Sequence, residues 1–324
     1  MRRWTEDSTT FELTRPKIGD FTWIWIATMA LFAVSFLVAP GSVSLGALRA
    51  MLPFAGLLAI VAVGQTLTIQ QHGIDMSAVG AIALSGILVS TWGFEGPSLL
   101  VAILATLTVG ALVGVVNGFL ITRGNIAPIV TTLATNALVI GAVREISKGT
   151  PLTAPTALRE FATERLVGLP YSLLVAVAFI AIVAFINSYT VFGRRFVAVG
   201  VNPRAARASG IVAERYQVCA YAMAGLCFAV TGMLLAGYIG SASHAAGADY
   251  LLPGVAAVVV GGTPFSGGKG SVIASGVAAL FMTQLGQLAL SLGATPAVQL
   301  LVQALAIIIA TNIRGVPRML AAKS

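Results

Sequence analysis

Charge is what this chain lacks most: only 9% of its 324 residues are Asp, Glu, Lys or Arg, whereas ordinary soluble domains have about 25%. Hydrophobic residues make up 57% of the chain, and its mean hydropathy is +0.94. There are too few charged side chains to cover the surface of a soluble protein of this length. The composition therefore excludes a water-soluble enzyme or binding module and predicts a membrane protein.

Reactive side chains are also scarce. The chain has two cysteines, Cys219 and Cys227, and two histidines, His72 and His244. The cysteines lie within one apolar segment, and the histidines are too isolated in the sequence to suggest a zinc site. There is no triad pattern, no pair of carboxylates in a pocket-like context and no dinucleotide motif. The sequence therefore predicts neither an enzyme nor a metal or cofactor site.

Long apolar runs dominate what is present. They show no strand-like alternation, and an apolar helix needs about 20 residues to cross a bilayer. The sequence thus predicts an all-α, polytopic membrane bundle of about ten transmembrane helices, some of them short or broken. The predicted spans are residues 21–40, 50–70, 73–92, 98–122, 126–143, 170–192, 218–240, 251–263, 271–291 and 296–313.

Lys and Arg are distributed unevenly between the two sides that these spans define. Fourteen fall on the side of the amino terminus and five on the other side. Because an excess of Lys and Arg marks the cytoplasmic side, both termini are predicted to be cytoplasmic. The predicted regions are a cytoplasmic tail (1–20), a transmembrane domain (21–313) with a cytoplasmic loop (193–217), and a second cytoplasmic tail (314–324). Membrane orientation also explains the net charge of +8, so no nucleic-acid partner is expected.

The loop 193–217 contains the pattern of a short helix. Asn202 is a favourable N-cap, Pro203 suits the first helical position, and Gly210 is typical of a helix end. A helix of about seven residues is marginal in water because nucleation is costly and few hydrogen bonds follow. The segment 203–209 is therefore expected to need a docking partner.

Two arginines strengthen this expectation. Arg204 and Arg207 are three residues apart and share one helical face, while the alanines between them allow close approach of another backbone. The alternative is a merely solvated basic loop that orients the protein. We prefer the docking interpretation because the segment has helix boundary residues at both ends, which charge alone does not explain.

Four stretches of the sequence form a recognisable pattern: GQTLTIQQHGIDMSAVGAIAL (64–84), NGFLITRGNIAPIVTTLAT (117–135), GRRFVAVGVNPRAARASGI (193–211) and GADYLLPGVAAVVVGGTPFSGGKGS (247–271). In this order they resemble the inner-membrane permease subunits of bacterial ABC importers for monosaccharides of the ribose, xylose and galactose type. The resemblance extends from about residue 50 to residue 313.

The resemblance implies partners and a coupling site. In such permeases the matching loop is a coupling helix that sits in a groove of a cytoplasmic ATP-binding subunit. A periplasmic sugar-binding protein delivers the cargo, and a second permease subunit completes a homodimer or heterodimer in the bilayer of the bacterial inner membrane. The implied coupling residues are Gly200, Asn202, Pro203, Arg204, Ala205, Ala206, Arg207, Gly210 and Ile211.

The glycine-rich stretch 263–271 is not a phosphate loop. A P-loop requires Gly, four residues, then Gly-Lys and Ser or Thr; here Thr263 replaces the first glycine and Gly270 the final hydroxyl residue. ATP hydrolysis is therefore expected in a partner. The resemblance identifies this stretch as the glycine-rich turn of the family, which lets backbones pass close together between packed helices. Its glycines are Gly261, Gly262, Gly267, Gly268 and Gly270.

Polar side chains inside the apolar spans are candidates for a substrate path, because burial in hydrocarbon is unfavourable unless they face a partner or a cavity. Their hydroxyl and amide groups match the hydroxyls of a sugar, but the same groups also join helices. For most single positions the interhelix role is the more frequent one. The candidates are Gln65, Thr68, Asp75, Asn117, Thr131, Thr132, Thr135, Asn136, Gln299 and Gln303.

Asp75 and His72 admit two interpretations. They form a proton relay in an ion-coupled secondary transporter, or Asp75 caps a helix beginning at Met76 near the membrane edge and His72 is interfacial. We prefer the second. The family signature here reads Gly-Gly-Ile-Asp-Leu-Ser-Val-Gly, and this chain differs from it at His72 and Met76 and by the additional Ala78.

The sequence therefore predicts the permease subunit of an ABC importer, which moves a monosaccharide and is driven by a separate ATP-binding subunit. The alternatives are an ion-coupled secondary transporter and an ABC permease for a nucleoside or other small polar solute.

Overall fold

The computed structural model describes residues 21–95 and 98–321. The predicted tail 1–20 and residues 322–324 lie outside this part of the chain. Within it, ten α-helices correspond to the ten predicted spans. They are α1 (Thr22–Val38), α2 (Leu45–Gln70), α3 (Ala78–Glu95), α4 (Leu99–Arg123), α5 (Pro128–Ser147), α7 (Tyr171–Tyr189), α10 (Ala213–Ile239), α11 (Ala248–Gly261), α12 (Val272–Ser291) and α13 (Pro296–Ala321).

Shorter elements connect these helices. A 3-10 helix follows α1, and the two antiparallel strand pairs are β1 with β4 and β2 with β3. The short elements are the 3-10 helix Pro40–Val43, α6 (Thr156–Thr163), α8 (Val191–Val201), α9 (Pro203–Ala208), β1 (Leu152–Thr153), β2 (Arg165–Leu166), β3 (Leu169–Pro170) and β4 (Ser241–Ala242).

The prediction of an all-α membrane bundle is confirmed. Among the described residues, six helices are long and apolar enough to cross a bilayer, and four more have shorter apolar stretches, Thr22–Val38, Ala78–Gly93, Ala248–Gly261 and Pro296–Ile309. The helix α11 has 14 residues, which at 1.5 Å per residue is about 21 Å and less than the roughly 30 Å of a bilayer core. The eighth span is thus too short to cross alone, as its sequence indicates.

Several predicted boundaries are wrong. The third span was expected to begin at residue 73, but α3 begins at Ala78, and α13 continues to Ala321, beyond the expected end at residue 313. Part of the polar loop 193–217 is helical, because α8 covers Val191–Val201. Local composition alone does not determine the residue at which a helix begins or ends.

The helices α2 and α10 form the centre of the bundle. In their most apolar 18-residue windows, 61% and 67% of the residues are buried, compared with 17% to 22% in α4, α5 and α7. The outer helices therefore present their apolar side chains to lipid, and the two central helices hold the buried core.

A glycine stripe brings α4 against α10. Gly110, Gly114 and Gly118 are four residues apart, so they share one face of α4. A Cβ atom added at Gly114 would lie 2.0 Å from the carbonyl oxygen of Tyr221 on α10. The two backbones thus pack at a distance that no side chain larger than hydrogen permits, as in small-residue contacts between membrane helices.

Helix α2 contains a proline whose missing hydrogen bond is replaced. Pro53 has no N–H to donate to the carbonyl of Arg49, four residues earlier. Arg165, in the hairpin of β2 and β3, donates from Nη2 to that carbonyl oxygen at 2.9 Å. Ser172 Oγ donates to the Pro53 carbonyl oxygen at 3.2 Å. The hairpin and α7 therefore stabilise the first turns of α2.

Candidate functional site

The short helix predicted in the loop 193–217 is present as α9. The Asn202 Oδ1 atom accepts hydrogen bonds from the backbone N–H groups of Arg204 and Ala205 at 3.0 and 3.1 Å, and Pro203 occupies the first helical position. The helix ends at Ala208, and Gly210 has a φ of +79°. Sequence-based boundaries were correct to one residue because capping is a local interaction.

Helix α9 packs against the helices that precede and follow it, α8 and α10. Ala206 is buried in a small cluster with Val199 of α8 and Ala213 of α10. The Arg207 guanidinium forms an ion pair with Glu214 of α10, with a separation of 2.6 Å between Nη1 and Oε1. Arg204 is exposed and makes no side-chain hydrogen bond or ion pair with the rest of the described chain. Of the two predicted docking arginines, only Arg204 has an unoccupied guanidinium.

The end of α8 contacts two other segments through Gly200. A Cβ atom added at Gly200 would lie 2.3 Å from the carbonyl oxygen of Gln70 and 3.0 Å from the Cα atom of Gly268. The last turn of α8, the end of α2 and the glycine-rich turn therefore meet backbone to backbone, directly before α9 in the chain.

Hydrogen bonds hold this meeting point together. The Gly268 N–H donates to the Gln70 carbonyl oxygen at 2.9 Å, and Gln70 Nε2 donates to the Gly270 carbonyl oxygen at 3.2 Å. Gln71 Nε2 donates to the Phe196 carbonyl oxygen of α8 at 2.9 Å. We call the set Gln70, Gln71, Gly200, Gly268 and Gly270 the glycine junction.

The other glycines of the turn also occupy positions that require glycine. Gly262 ends α11 with a φ of +112°, and Gly267 has a φ of +75°. A Cβ atom at Gly267 would lie 2.5 Å from the His72 ring, and one at Gly261 would lie 2.9 Å from the Ala274 carbonyl oxygen of α12. His72, which looks isolated in the sequence, therefore packs on the glycine-rich turn.

Asp75 lies at the centre of a second polar group. Its Oδ1 atom accepts from the backbone N–H and the hydroxyl of Ser77 at 2.9 and 2.5 Å. Gln65 Nε2 donates to the Asp75 carbonyl oxygen at 2.7 Å, and Asn117 Nδ2 donates to Ser77 Oγ at 2.9 Å. Thr135 Oγ1 then donates to Asn117 Oδ1 at 2.6 Å. The chain of bonds joins α2, α4 and α5 to the turn before α3.

The same group satisfies the start of α3. The backbone N–H of Met76 donates to Thr132 Oγ1 at 3.0 Å, and that of Gly80 donates to Asn136 Oδ1 at 2.8 Å. The expected helix start at Met76 is wrong, because α3 begins at Ala78. The Asp75 carboxylate accepts from the N–H of Ser77, directly before α3, and it is fully buried. The start shifts because α5 supplies the N-terminal acceptors.

The remaining predicted path residues differ in their surroundings. Thr68, Thr131 and Gln299 donate only to nearby backbone carbonyls, those of Gln65, Ala127 and Ala294. Gln303 lines a cavity of about 320 Å³ between α2, α10, α11, α12 and α13. Six of the ten candidates thus take part in bonds between elements, these three bond only within or next to their own helix, and Gln303 alone among the ten lies on this cavity.

Other cavity residues were not singled out from the sequence. They are Phe54, Asp249, Tyr250 and Thr283. Asp249 and Tyr250 belong to the stretch GADYLLPG, which is part of the family pattern. The sequence therefore marks this stretch, but a polar residue at the start of a span is ordinarily interpreted as interfacial.

Residues 47–311 match a family profile described as the permease component of a branched-chain amino acid transport system. The match covers far more than half of the 324-residue chain. The chain belongs to this family of transport permeases. It is a component of a transport system and not its catalytic subunit, and the predicted multi-pass location in the inner membrane is confirmed.

Curated relatives of this permease include two ribose import permeases named RbsC. That of Bacillus subtilis (strain 168) is 34% identical over 78% of this chain and 79% of the relative, and that of Escherichia coli (strain K12) is 31% identical over 88% and 90%. The autoinducer 2 import system permease LsrD of Yersinia enterocolitica is 34% identical over 71% and 72%. No solved structure matches the permease.

Proposed function

We propose that this permease is the membrane-spanning subunit of an ABC importer that carries a monosaccharide into the cell. The relatives that import ribose and autoinducer 2 support a sugar-like cargo. A separate ATP-binding subunit drives transport, a periplasmic sugar-binding protein delivers the cargo, and a second permease subunit completes the pathway. The observation that carries the proposal is α9, a capped helix with one free arginine that follows Gly200 of the glycine junction closely in the chain.

The distribution of charge supports the orientation. With α9 in the cytoplasm, both termini and fourteen of the 19 Lys and Arg residues lie on the cytoplasmic side. In this orientation Arg204 faces the compartment that contains ATP. The domain division into residues 1–20, 21–313 and 314–324 follows from the same orientation.

The geometry suggests how movement passes into the membrane. Closure of the ATP-binding subunits on nucleotide displaces α9, and Arg207 and Glu214 transfer part of this movement to α10. The rest passes through the end of α8 into the glycine junction, and so to α2 and the glycine-rich turn. Both central helices receive the displacement, and the bundle opens to alternate sides as packed helices shift.

Reversing the charge of Arg204 tests the docking role of α9. We expect Arg204→Glu to lower ATP-driven uptake by about tenfold or more, equivalent to roughly 1.4 kcal/mol of lost coupling, because an unoccupied cation becomes an anion at the docking surface. ATP-driven uptake and ATP hydrolysis are measured on the reconstituted importer. The double change of Arg204 and Arg207 to Glu should uncouple hydrolysis from uptake completely while leaving insertion intact.

Two further variants distinguish the docking of α9 on the ATP-binding subunit from its attachment to α10. Arg207→Glu also breaks the ion pair with Glu214, so adding Glu214→Arg should restore part of the loss, whereas it should not rescue Arg204→Glu. Arg144→Glu makes the same charge change at the end of α5 and should have no effect. Normal uptake by an assembled Arg204→Glu, Arg207→Glu double variant contradicts the proposal.

The secondary-transporter alternative has no support in the contacts. Among the described residues, no hydrogen bond or ion pair joins Asp75 to His72, and the Asp75 carboxylate bonds to Ser77. Uptake by the purified permease alone under a proton gradient would overturn the ABC assignment.

A further inference from the structure

One cavity of the permease lies in the half of the bundle opposite α9. Its walls come from five helices, α2, α10, α11, α12 and α13. Its volume of about 320 Å³ falls within the range of small-molecule pockets. It lies at the start of α11 and the end of α10, and it is far along α2 from the glycine junction at Gln70.

Polar groups in this cavity have unused hydrogen-bonding capacity. Asp249, Tyr250 and Gln303 all line it, and none of their side chains forms a hydrogen bond with another side chain or carbonyl of the described chain. Thr283 adds a hydroxyl that donates to its own helix at Ala279 and can still accept. Four polar side chains thus converge on one space without satisfying one another.

The cavity also has apolar surface and only one sign of charge. Phe54 and the Tyr250 ring line it together with Leu58, Leu235 and Met282. None of its described lining residues is Lys, Arg or His, so Asp249 supplies the only formal charge.

An α-amino acid would bring a carboxylate into this space. Asp249 can pair with the ammonium group of the amino acid, but no Lys, Arg or His among the described lining residues can pair with its carboxylate, and burying a charge without a partner is costly. An uncharged polyol meets no such cost. Its hydroxyls can donate to Asp249 and accept from Gln303 and Tyr250, and its C–H groups can pack on Phe54.

We propose that this cavity is the cargo site of the permease and that it selects uncharged polyhydroxylated solutes over amino acids, with Asp249, Tyr250, Thr283 and Gln303 as the binding groups. The inference rests on the proposed import function and identifies its cargo class and binding residues. It distinguishes between the sugar named in the relatives and the branched-chain amino acid named in the family description.

Thiol protection tests this directly. The full chain carrying Gly286→Cys is labelled with a membrane-impermeant maleimide, with D-ribose and L-leucine as probes of similar size. A Cβ atom at Gly286 would lie 3.6 Å from Gln303 Nε2, an ordinary contact, so the thiol fits. The unsubstituted chain measures background labelling, since Cys227 is buried and Cys219 partly buried. We expect D-ribose at about twice its Kd to slow labelling about threefold, and L-leucine at the same concentration to have no effect.

A matched pair of glutamines supplies the control. Gln303→Leu keeps the side-chain volume but removes the amide, and should abolish protection by D-ribose. Gln299→Leu makes the same change one turn earlier on α13, outside the cavity lining, and should leave protection intact. Ala246→Cys repeats the measurement at another position of the cavity lining that is not one of the binding groups, in case Gly286→Cys does not fold.

Four results would overturn the inference. They are labelling of Gly286→Cys no faster than background, protection by neither probe, protection by L-leucine, and protection by D-ribose that survives Gln303→Leu. Labelling requires no ATP-binding subunit, so these results are independent of the coupling proposal. Loss of coupling in the arginine variants would leave protection unchanged, and absence of protection would leave ATP-driven uptake unexplained but intact.

Discussion

Gly114→Ala is expected to destabilise the folded permease by about 3 kcal/mol, at the upper end of overpacking effects. The added methyl would lie 2.0 Å from the Tyr221 carbonyl oxygen and 2.9 Å from the Ala222 Cα atom. Both are backbone atoms, so no side chain can rotate away. The helices α4 and α10 must separate, and contacts along the whole stripe are lost. The yield of monodisperse protein in detergent and its unfolding temperature measure the effect.

Gly141→Ala is the matched control for this change. An added methyl at Gly141, on α5, meets no atom within 4 Å, and alanine favours a helix interior by up to about 1 kcal/mol relative to glycine. Its stability should equal or exceed that of the unsubstituted protein. If Gly114→Ala unfolds at the same temperature as Gly141→Ala, the close approach of α4 and α10 is incorrect.

Gly268→Ala is expected to reduce ATP-driven uptake by about tenfold or more, or roughly 1.4 kcal/mol of lost coupling, in a protein that still assembles. Gly268 has a φ of +73°, and a Cβ atom there would lie 2.6 Å from Val201 Cγ2 and 2.9 Å from the Val201 Cα atom. The methyl pushes the end of α8 away from the turn and disturbs the Gly268 N–H bond to Gln70. Uptake and ATP hydrolysis are compared in proteoliposomes containing the complete importer.

Gly293→Ala isolates the effect of this contact. Gly293 has a φ of +78°, nearly the same as Gly268, but a Cβ atom there meets nothing within 4 Å. Both variants lose roughly 1–2 kcal/mol from the left-handed conformation, and Gly268→Ala loses more because its methyl also meets the Val201 backbone, so uptake is compared at a temperature at which both variants are folded. Only Gly268→Ala should lose uptake. Equal uptake by the two variants would show that the glycine junction does not transmit force.

Local signals in the sequence predicted local structure well. The boundaries of α9 follow from Asn202, Pro203 and Gly210, because each acts through its own backbone or that of the next few residues. The start of α3 was misplaced because its N–H groups are satisfied by Thr132 and Asn136, 56 residues away. No window of the sequence contains that information.

The substrate-path candidates illustrate the same limit. The sequence indicates which polar side chains lie within spans, but the rotation of each helix in the bundle determines what they face. Gln299 and Gln303 lie on one helical face, yet only Gln303 reaches the cavity. Asn117 and Thr135 bond to each other, a pairing that depends on how α4 and α5 pack. The four-residue spacing of Gly110, Gly114 and Gly118 was not singled out from the sequence, and it does not reveal that α10 is the partner of this stripe.

Helix α2 is unbroken between Phe54 and Gln70, a length of roughly 24 Å. At one end of this rod, Phe54 lines the proposed solute cavity. At the other end, the Gln70 carbonyl oxygen accepts a hydrogen bond from Gly268 of the glycine-rich turn. A swing of about 10° about the Gln70 end would carry Phe54 by roughly 4 Å. Thermodynamic linkage acts in both directions. A bound solute that prefers one tilt of the rod therefore also changes the affinity of the ATP-binding subunit for the cytoplasmic face of the permease.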